Sequence, residues 1–425
     1  MAKKVLGIIL TLFMVVMLLN NNSDYIIASE YIYDEIPEEL YDQYYYDEEE
    51  DGYEYNPRYN EELTNQEISV DNGTAILPDF SNYNGNNLTY SYKIINIPKI
   101  NNSDVVIQKT YIASSYIYYI QRKGTTLYLS RCLLPTSGTV INASGAERMT
   151  LTNFGHSQTL EYDENSYFWI GCNASDEIYN RYTGSTYNWS TQIARVQFQA
   201  NTTKDYTQVK RLVSVSYANK TGTSMGPIRR VEAALSTNKR YLLIWARTYS
   251  IEEDHTNDNL PNIEDRGTGY KRSNYKTRFS IYDVDEIKEA LENANGLYVS
   301  CTNTAIKNAC LYSYTSTPGD GVPAKIRYGS NQGLEINNSK QIYLASESRT
   351  NGTSNGKYFY KFSITDSNLS IISDVLITGS NLGAGSRTEL EGLQIRSSML
   401  NFAVKNYAEN GNIHYIYELG GSVFN

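Results

Sequence analysis

The sequence predicts an all-β protein: a five-bladed β-propeller, preceded by a signal-like segment and a disordered acidic, tyrosine-rich stretch. A hairpin-like pattern recurs five times, and each copy is an alternating run, a polar turn and a strongly aromatic or aliphatic run. The copies begin at Gln108, Gln158, Val231, Gln332 and Glu391. Because such a unit cannot bury its own faces, repeats of this length are typical of blades that stack around an axis.

A further strand-like run follows each hairpin copy. Tyr, Phe, Ile and Val alternate there with polar residues, which is the pattern of a half-buried strand. These runs occupy residues 125–134, 190–198, 275–284, 357–365 and 412–419. The copies are unevenly spaced, and we expect the differences to be loop insertions, including a long polar one at 251–274.

The second run of each hairpin copy contains a large apolar residue that we expect to pack between blades. These residues are Tyr118, Phe168, Leu243, Tyr343 and Phe402. One helix is predicted, over 283–295, with Asp283 and Glu286 as a capping box and an apolar face along one side.

The chain divides into a signal peptide at 1–28, a disordered stretch at 29–84 and the propeller at 85–425. Two lysines precede an apolar run of fifteen residues, and Ala28 offers a small residue before a cut ahead of Ser29. A membrane-spanning helix needs about 20 residues, so we expect a secreted, extracellular protein with no stable membrane span after processing. The alternative is an uncleaved membrane anchor.

Residues 30–62 carry fourteen acidic residues, one Arg and nine Tyr, whereas the whole chain has a net charge of −10. The rest of the chain is therefore slightly basic and shows no concentrated basic patch for nucleic acid. Dense like charge without a periodic apolar face predicts disorder. The stretch is a solvating tether, a removable acidic pro-segment covering a basic face, or a polyanion that acts at cell surfaces.

The four cysteines are an even number in a chain predicted to be exported. Cys301 and Cys310 bracket a short polar loop and are the better disulfide candidates, while Cys132 and Cys172 fall in adjacent blades and could also meet. Four reduced, buried thiols are the alternative. Since the chain has no CxxC spacing, we predict no zinc site, no other metal site and no cofactor.

The polar residues that open the hairpin copies are the candidate ligand-binding residues, because innermost propeller strands start at the central channel. They are His156, Gln158, Arg230, Gln332, Glu389 and Glu391, with Gln108 at the equivalent position of the first copy. Amide, imidazole, guanidinium and carboxylate groups suit a hydroxyl-rich ligand such as a cell-wall glycan. The alternative is that these groups bond one another and close the ring of blades.

No catalytic residue is predicted. The chain contains no GxSxG, HExxH or phosphate-cradling glycine motif. Glycoside hydrolysis needs two carboxylates at a defined separation, and the glutamates of the inner strands make it the least unlikely activity. They are Glu161, Glu232, Glu335, Glu389 and Glu391.

Several ordered segments resemble the helveticin J family of large, heat-labile bacteriocins. They are FGHSQTLEYDENSYFWIG at 154–171, WSTQIARVQF at 189–198, RRVEAALSTNKRYLLIW at 229–245, FSIYDVDEIKEALENA at 279–294 and NQGLEINNSKQIYLASES at 331–348. The resemblance covers about residues 85–420 and implies a secreted protein that kills related bacteria. Its partner would be a glycan or protein receptor on the target bacterial surface. A carbohydrate-binding or glycan-hydrolysing propeller without killing activity, or a surface adhesion module, is the alternative.

Overall fold

The computed structural model of this chain consists mainly of β-strands. The residues it describes are 44–47, 52–55, 81–175, 178–179, 186–248, 276–316, 330–350 and 352–424. The predicted signal peptide at 1–28, most of the stretch at 29–84 and the predicted insertion at 251–274 lie outside these ranges. Within 29–84, two short strands pair with each other, and a strand at 81–84 belongs to the propeller.

The strands are numbered in chain order. The first fourteen are β1 (Tyr44–Asp47), β2 (Gly52–Tyr55), β3 (Ser81–Asn84), β4 (Tyr90–Ile95), β5 (Ile107–Ile112), β6 (Tyr116–Lys123), β7 (Thr126–Leu133), β8 (Val140–Asn142), β9 (Glu147–Thr152), β10 (Leu160–Tyr162), β11 (Tyr167–Ala174), β12 (Ile178–Tyr179), β13 (Thr186–Tyr187) and β14 (Ser190–Gln197). The others are β15 (Thr203–Asp205), β16 (Lys210–Val213), β17 (Ile228–Leu235), β18 (Tyr241–Thr248), β19 (Thr277–Asp283), β20 (Tyr298–Ser300), β21 (Cys310–Thr315), β22 (Ser330–Ile336), β23 (Ile342–Thr350), β24 (Thr353–Ile364), β25 (Leu369–Thr378), β26 (Thr388–Arg396), β27 (Met399–Asn406) and β28 (His414–Gly420).

Five antiparallel sheets form the blades, and each begins with one of the predicted hairpins. Blade 1 is β5, β6, β7 and β9; blade 2 is β10, β11, β14 and β16; blade 3 is β17, β18, β19 and β21. Blade 4 is β22, β23, β24 and β25, and blade 5 is β26, β27, β28 and β4. The first strands contact one another in a closed cycle, so they line the axis. The predicted five-bladed propeller, its five hairpins and its five third strands are confirmed.

The ring of blades closes within blade 5. Its outer strand β4 precedes blade 1 in the chain, whereas its other three strands come last, so β4 and β28 are joined by hydrogen bonds and not by a covalent link. Four blades also gain a fifth strand in parallel: β15 on blade 1, β20 on blade 2, β3 on blade 4 and β8 on blade 5. Each of β8, β15 and β20 comes from the link between the third and fourth strands of the next blade. The equivalent link in blade 4, residues 365–368, is too short to reach blade 3.

Five apolar clusters fill the five interfaces between neighbouring blades. Alternation along each strand produces them, since Phe168 faces blade 1 while the next residue, Trp169, faces blade 3. Of the residues predicted to pack between blades, four are buried: Tyr118, Phe168, Leu243 and Phe402. The fifth, Tyr343, is half-buried and packs edge-on against Phe424.

The predicted helix is α1, Val284–Glu292, and it packs into the interface between blades 2 and 3 through Ile287 and Leu291. Its cap is simpler than the predicted capping box: the Asp283 carboxylate accepts a hydrogen bond from the backbone amide of Asp285. A second helix that the sequence did not predict, α2, spans Thr304–Ala309.

All four cysteines are free and buried, which differs from the predicted Cys301–Cys310 disulfide. These two thiols lie in the same apolar cluster, and burial raises the pKa of Cys301 to about 12 and that of Cys310 to about 11. Cys132 and Cys172 belong to different clusters, on opposite sides of blade 1, so they do not meet.

The noncovalent closure can be tested at Ile94, which is fully buried on β4 between blades 5 and 1. We expect Ile94→Ala to lower the free energy of unfolding by about 2–5 kcal/mol, because it leaves a cavity at the closing strand. Ile372→Ala is the matched control, since this isoleucine is 44% exposed on β25. Urea denaturation measures both; equal losses would contradict a closing role for β4.

Candidate functional site

The first strands of the blades start at one end of the channel, which we call the channel mouth. In four blades the first strand has a β-bulge near this end, where its pairing with the second strand shifts register. The bulges lie at 107–109, 228–230, 331–333 and 391–393. Such bulges twist a strand and redirect its side chains. In blade 2 a bridge between His156 and Trp189 holds the chain ahead of β10. The polar residues that open the repeats are thereby turned toward one another.

Gln158 is the centre of the resulting hydrogen-bond network. Its Nε2 donates to Gln332 Oε1 at 2.5 Å and to Glu391 Oε2 at 3.4 Å. Its Oε1 accepts from the Arg230 guanidinium at 2.7 Å. One side chain therefore connects blades 2, 3, 4 and 5, and the short contact between His156 Nε2 and Gln108 Oε1 adds blade 1.

The structure thus brings five of the six predicted channel residues together. With Gln108 they form what we call the mouth cluster: Gln108, His156, Gln158, Arg230, Gln332 and Glu391. Most of its side chains are buried, and Gln332 is half-buried. The sixth predicted residue, Glu389, accepts a hydrogen bond from the Tyr407 hydroxyl at 2.6 Å.

Trp189 is a member of the site that the sequence did not predict. The His156 ring stacks on its indole at a centroid distance of 3.8 Å and an angle of 9°. The Arg230 guanidinium carbon lies 3.6 Å from the centroid of the same indole, close enough for a cation–π interaction. Trp189 stands outside the repeated hairpins, in the NWS segment just before β14, so no repeat pattern marks it.

Arginine side chains lie near His156 at the mouth. Burial, reinforced by Arg122, Arg230 and Arg229, holds the pKa of His156 well below its usual range, so the imidazole is neutral. Burial also lowers the pKa of Arg230 to about 10, against the opposing effect of Glu232, whose Oε1 lies 3.0 Å from Arg230 Nε. A buried cation beside a second basic group raises the energy of that group's charged form.

A second set of charged residues lies near the C-terminal ends of the second strands. It comprises Arg122, Arg247, Glu347 and Lys405, with Asn173 at the equivalent position of blade 2. Glu347 forms a buried ion pair with Lys357 at 2.8 Å and accepts from the Leu390 amide at 2.6 Å. A sequence signal existed for this set, because each member follows the apolar run of its hairpin copy.

Deeper along the axis, Lys109 joins three blades. Its fully buried ammonium contacts Glu161 of blade 2 and lies 3.0 Å from Glu335 Oε1 of blade 4. Burial and the Glu161 carboxylate raise the pKa of Glu335 well above its usual range, even against the Lys109 charge. Burial alone would lower the pKa of Lys109, but the two glutamates raise it above its ordinary value. The triad is neutral when Glu335 keeps a proton.

Two cavities of the propeller differ in size and position. Beside Gln158 and Arg230 the free volume is about 10 Å³, the space of roughly one water molecule. A polar groove of about 450 Å³ lies by the hairpin turns of blades 2 and 3 and the start of α1. Charged residues that line this groove form ion pairs with one another or with neighbouring residues. Arg195 Nε lies 2.7 Å from Asp163, and Lys288 Nζ lies 3.0 Å from Glu164.

Among the residues that the structure describes, no cluster of His, Cys, Asp and Glu side chains is arranged to hold a metal ion. Neither α1 nor α2 has the length and apolar character needed to cross a membrane, and no other helix in those ranges does.

Comparison with known proteins identifies one family. The profile of the family described as bacteriocin helveticin-J matches residues 84–256 and 270–420, which is most of the propeller. No curated protein matches this chain.

Solved structures show distant likenesses. An exo-β-1,3-galactanase from Phanerochaete chrysosporium has 10% identity and a TM-score of 0.34, with 79% of this chain and 65% of that chain covered. A thermostable family-43 glycoside hydrolase has 7% identity and a TM-score of 0.37, covering 77% and 91%. The propeller domain of the Trilobed protease from Pyrococcus furiosus has 12% identity and a TM-score of 0.28, covering 75% and 72%. This chain spans less than two thirds of the galactanase, and TM-scores this low carry no functional argument.

The axial triad leads to a prediction for Lys109→Met. Removing the ammonium leaves Glu161 and Glu335 buried without their cation, so we expect a loss of about 3–5 kcal/mol in the free energy of unfolding. The loss should shrink as pH falls from 7.5 to 5, because the pKa of Glu335 is raised and its protonation removes the repulsion from Glu161. Lys99→Met is the control, since Lys99 makes an exposed ion pair with Asp104; a comparable loss there would refute the assignment.

The neutral state of His156 predicts a pH effect. An unfolded histidine takes up a proton near pH 6.5, whereas buried His156 does so at a much lower pH. Its contribution to stability is therefore present above pH 6.5 and is lost as pH falls toward the folded pKa. Relative to His156→Gln, the wild type should lose about 2 kcal/mol between pH 6.5 and 5. Urea denaturation at both pH values measures this, and parallel profiles would contradict it.

Proposed function

Because this chain belongs to the helveticin J family of bacteriocins, we propose that it is an exported antibacterial protein that binds a glycan or receptor on related bacteria and kills them. The single observation that carries the proposal is the family match across the propeller, at 84–256 and 270–420. The lysine-flanked apolar run before residue 20 supports export.

The channel mouth is the surface we assign to target binding. It gathers amide, guanidinium, imidazole and carboxylate groups from all five blades, and an indole lies against two of them. Donors and acceptors of these types recognise hydroxyl-rich ligands. Half-buried Gln332 is the member through which a ligand would first contact the cluster.

Glycan binding without killing is the second candidate, since the same mouth residues would serve it. Hydrolysis finds less support at the axis, because Glu161 and Glu335 share one buried ammonium instead of flanking a space for a glycosidic bond. Incubation with cell-wall polysaccharide, followed by measurement of the reducing sugar released, distinguishes hydrolysis from glycan binding.

Purified residues 29–425 should clear lawns of related bacteria, and Gln332→Ala should weaken binding to those cells at least tenfold. This corresponds to about 1.4 kcal/mol, the contribution of one good hydrogen-bonding partner. Flow cytometry of labelled protein measures binding, and urea denaturation checks that stability falls less than binding does.

Gln199→Ala is the matched control, because Gln199 is exposed in the link between β14 and β15. It should bind and kill like the wild type. If Gln332→Ala also binds and kills normally, the mouth cluster is structural only. If the wild type binds cells but clears no lawn, the non-killing candidate is correct.

A further inference from the structure

A polar groove of about 450 Å³ between the hairpin turns of blades 2 and 3 has room for a small ligand. We call it the turn groove; residues 163–164, residues 238–240 and the start of α1 at 283–288 form it. Small-molecule sites span about 300–1,000 Å³, whereas the space beside Gln158 is about 10 Å³. Four carboxylates, three cations and one amide line the turn groove, so a ligand there meets both donors and acceptors.

One buried acceptor in the wall of the turn groove has no hydrogen bond. Asp163 is 3% exposed, and its Oδ2 accepts from Arg195 Nε at 2.7 Å. Within the described ranges, no donor forms a hydrogen bond to its Oδ1. Lys288 Nζ, which also lines the groove, lies 3.6 Å from this oxygen and donates to Glu164 Oε1 at 3.0 Å. Because a buried carboxylate oxygen without a donor costs free energy, a ligand that supplies a donor gains affinity here.

The positions of Asp163 and Lys288 indicate the chemistry of that ligand. A hydroxyl group beside both residues would donate to the carboxylate oxygen and accept from the ammonium, since a hydroxyl is both a donor and an acceptor. A charged ligand group fits less well. An ammonium beside Asp163 would be repelled by Lys288, and a carboxylate beside Lys288 would be repelled by Asp163 and Glu164.

The hairpin turn of blade 3 contributes further donors. Arg240 is exposed, and among the residues that the structure describes its guanidinium forms no ion pair; the guanidinium carbon lies 5.5 Å from the ring centroid of Tyr241. The side-chain oxygen of Asn238 accepts from the Ser236 hydroxyl at 2.7 Å and from the Arg240 backbone amide at 3.2 Å. Its Nδ2 can therefore donate to a ligand. Donors on this turn, together with Asp163 and Lys288, suit a ring that carries several hydroxyl groups.

We propose that the turn groove binds a neutral saccharide unit, with Asp163, Lys288 and Arg240 as its binding residues. The proposal goes beyond the function proposed above, because it requires neither killing activity nor the channel mouth. Gln158 of the mouth precedes β10 and Asp163 follows it, so the two sites lie at opposite ends of this strand. One chain would therefore bind a surface glycan at two separate places.

The experiment probes an array of immobilised neutral oligosaccharides with the labelled full chain, and calorimetric titration of the tightest binder measures the affinity. We expect saturable binding, and at least tenfold weaker binding for Arg240→Gln, because it removes a charged hydrogen-bond donor. Arg240 is exposed, so this variant should fold normally. Lys99→Gln is the matched control: it also removes one exposed cation, which pairs with Asp104 at 3.7 Å, and it should bind like the wild type.

An array on which no oligosaccharide binds would overturn the proposal, since the turn groove would then hold only water. Equal affinities of Arg240→Gln and the wild type would also overturn it. Binding that is lost in Gln332→Ala but kept in Arg240→Gln would assign the saccharide to the mouth and refute the turn groove. Saccharide binding that depends on Arg240, without clearing of lawns, would refute the bactericidal function and leave this site intact.

Discussion

The closed polar axis is the constraint on which the rest of the propeller depends. First strands with polar side chains can meet there only if each buried group finds a partner, because an unpaired one loses its hydration without compensation. At the mouth, Gln158 pairs with polar groups of three other blades. Further along the axis, Lys109 pairs with glutamates of two other blades. Since β4 closes the ring without a covalent link, these contacts and the five apolar interfaces hold it together.

The same constraint determines what the axial glutamates can do. A glycosidase needs two carboxyl groups set apart, with room between them for the sugar and, in inverting enzymes, for a water. Glu161 and Glu335 instead meet on one ammonium, and Glu232 is occupied by Arg230, Thr159 and the Gln158 amide. Each acts as an acceptor that joins blades, so these carboxylates contribute to closure of the ring.

What the sequence could predict was local. Strand alternation has a period of two, so the five hairpins, their third strands and the burial of Phe168 follow from neighbouring residues alone. Features that depend on another blade could not be predicted from the sequence. They are the fifth strands, the partners of Lys109 and the role of Trp189. This tryptophan lies outside the repeats and reaches the site through its bridge to His156. The buried thiols of Cys301 and Cys310 likewise reflect a shared apolar interface that their spacing does not reveal.

Composition also conceals where charge lies within the propeller. The acidic stretch at 30–62 dominates the net charge of −10, and the remainder is close to neutral. At the mouth, however, Arg229, Arg230 and Arg247 come from one blade, while blade 4 contributes the neutralised pair of Glu347 and Lys357. Low-dielectric walls strengthen such local fields. The charge at each part of the mouth therefore depends on which strand ends meet there, and neither the net charge nor the composition of the chain reveals it.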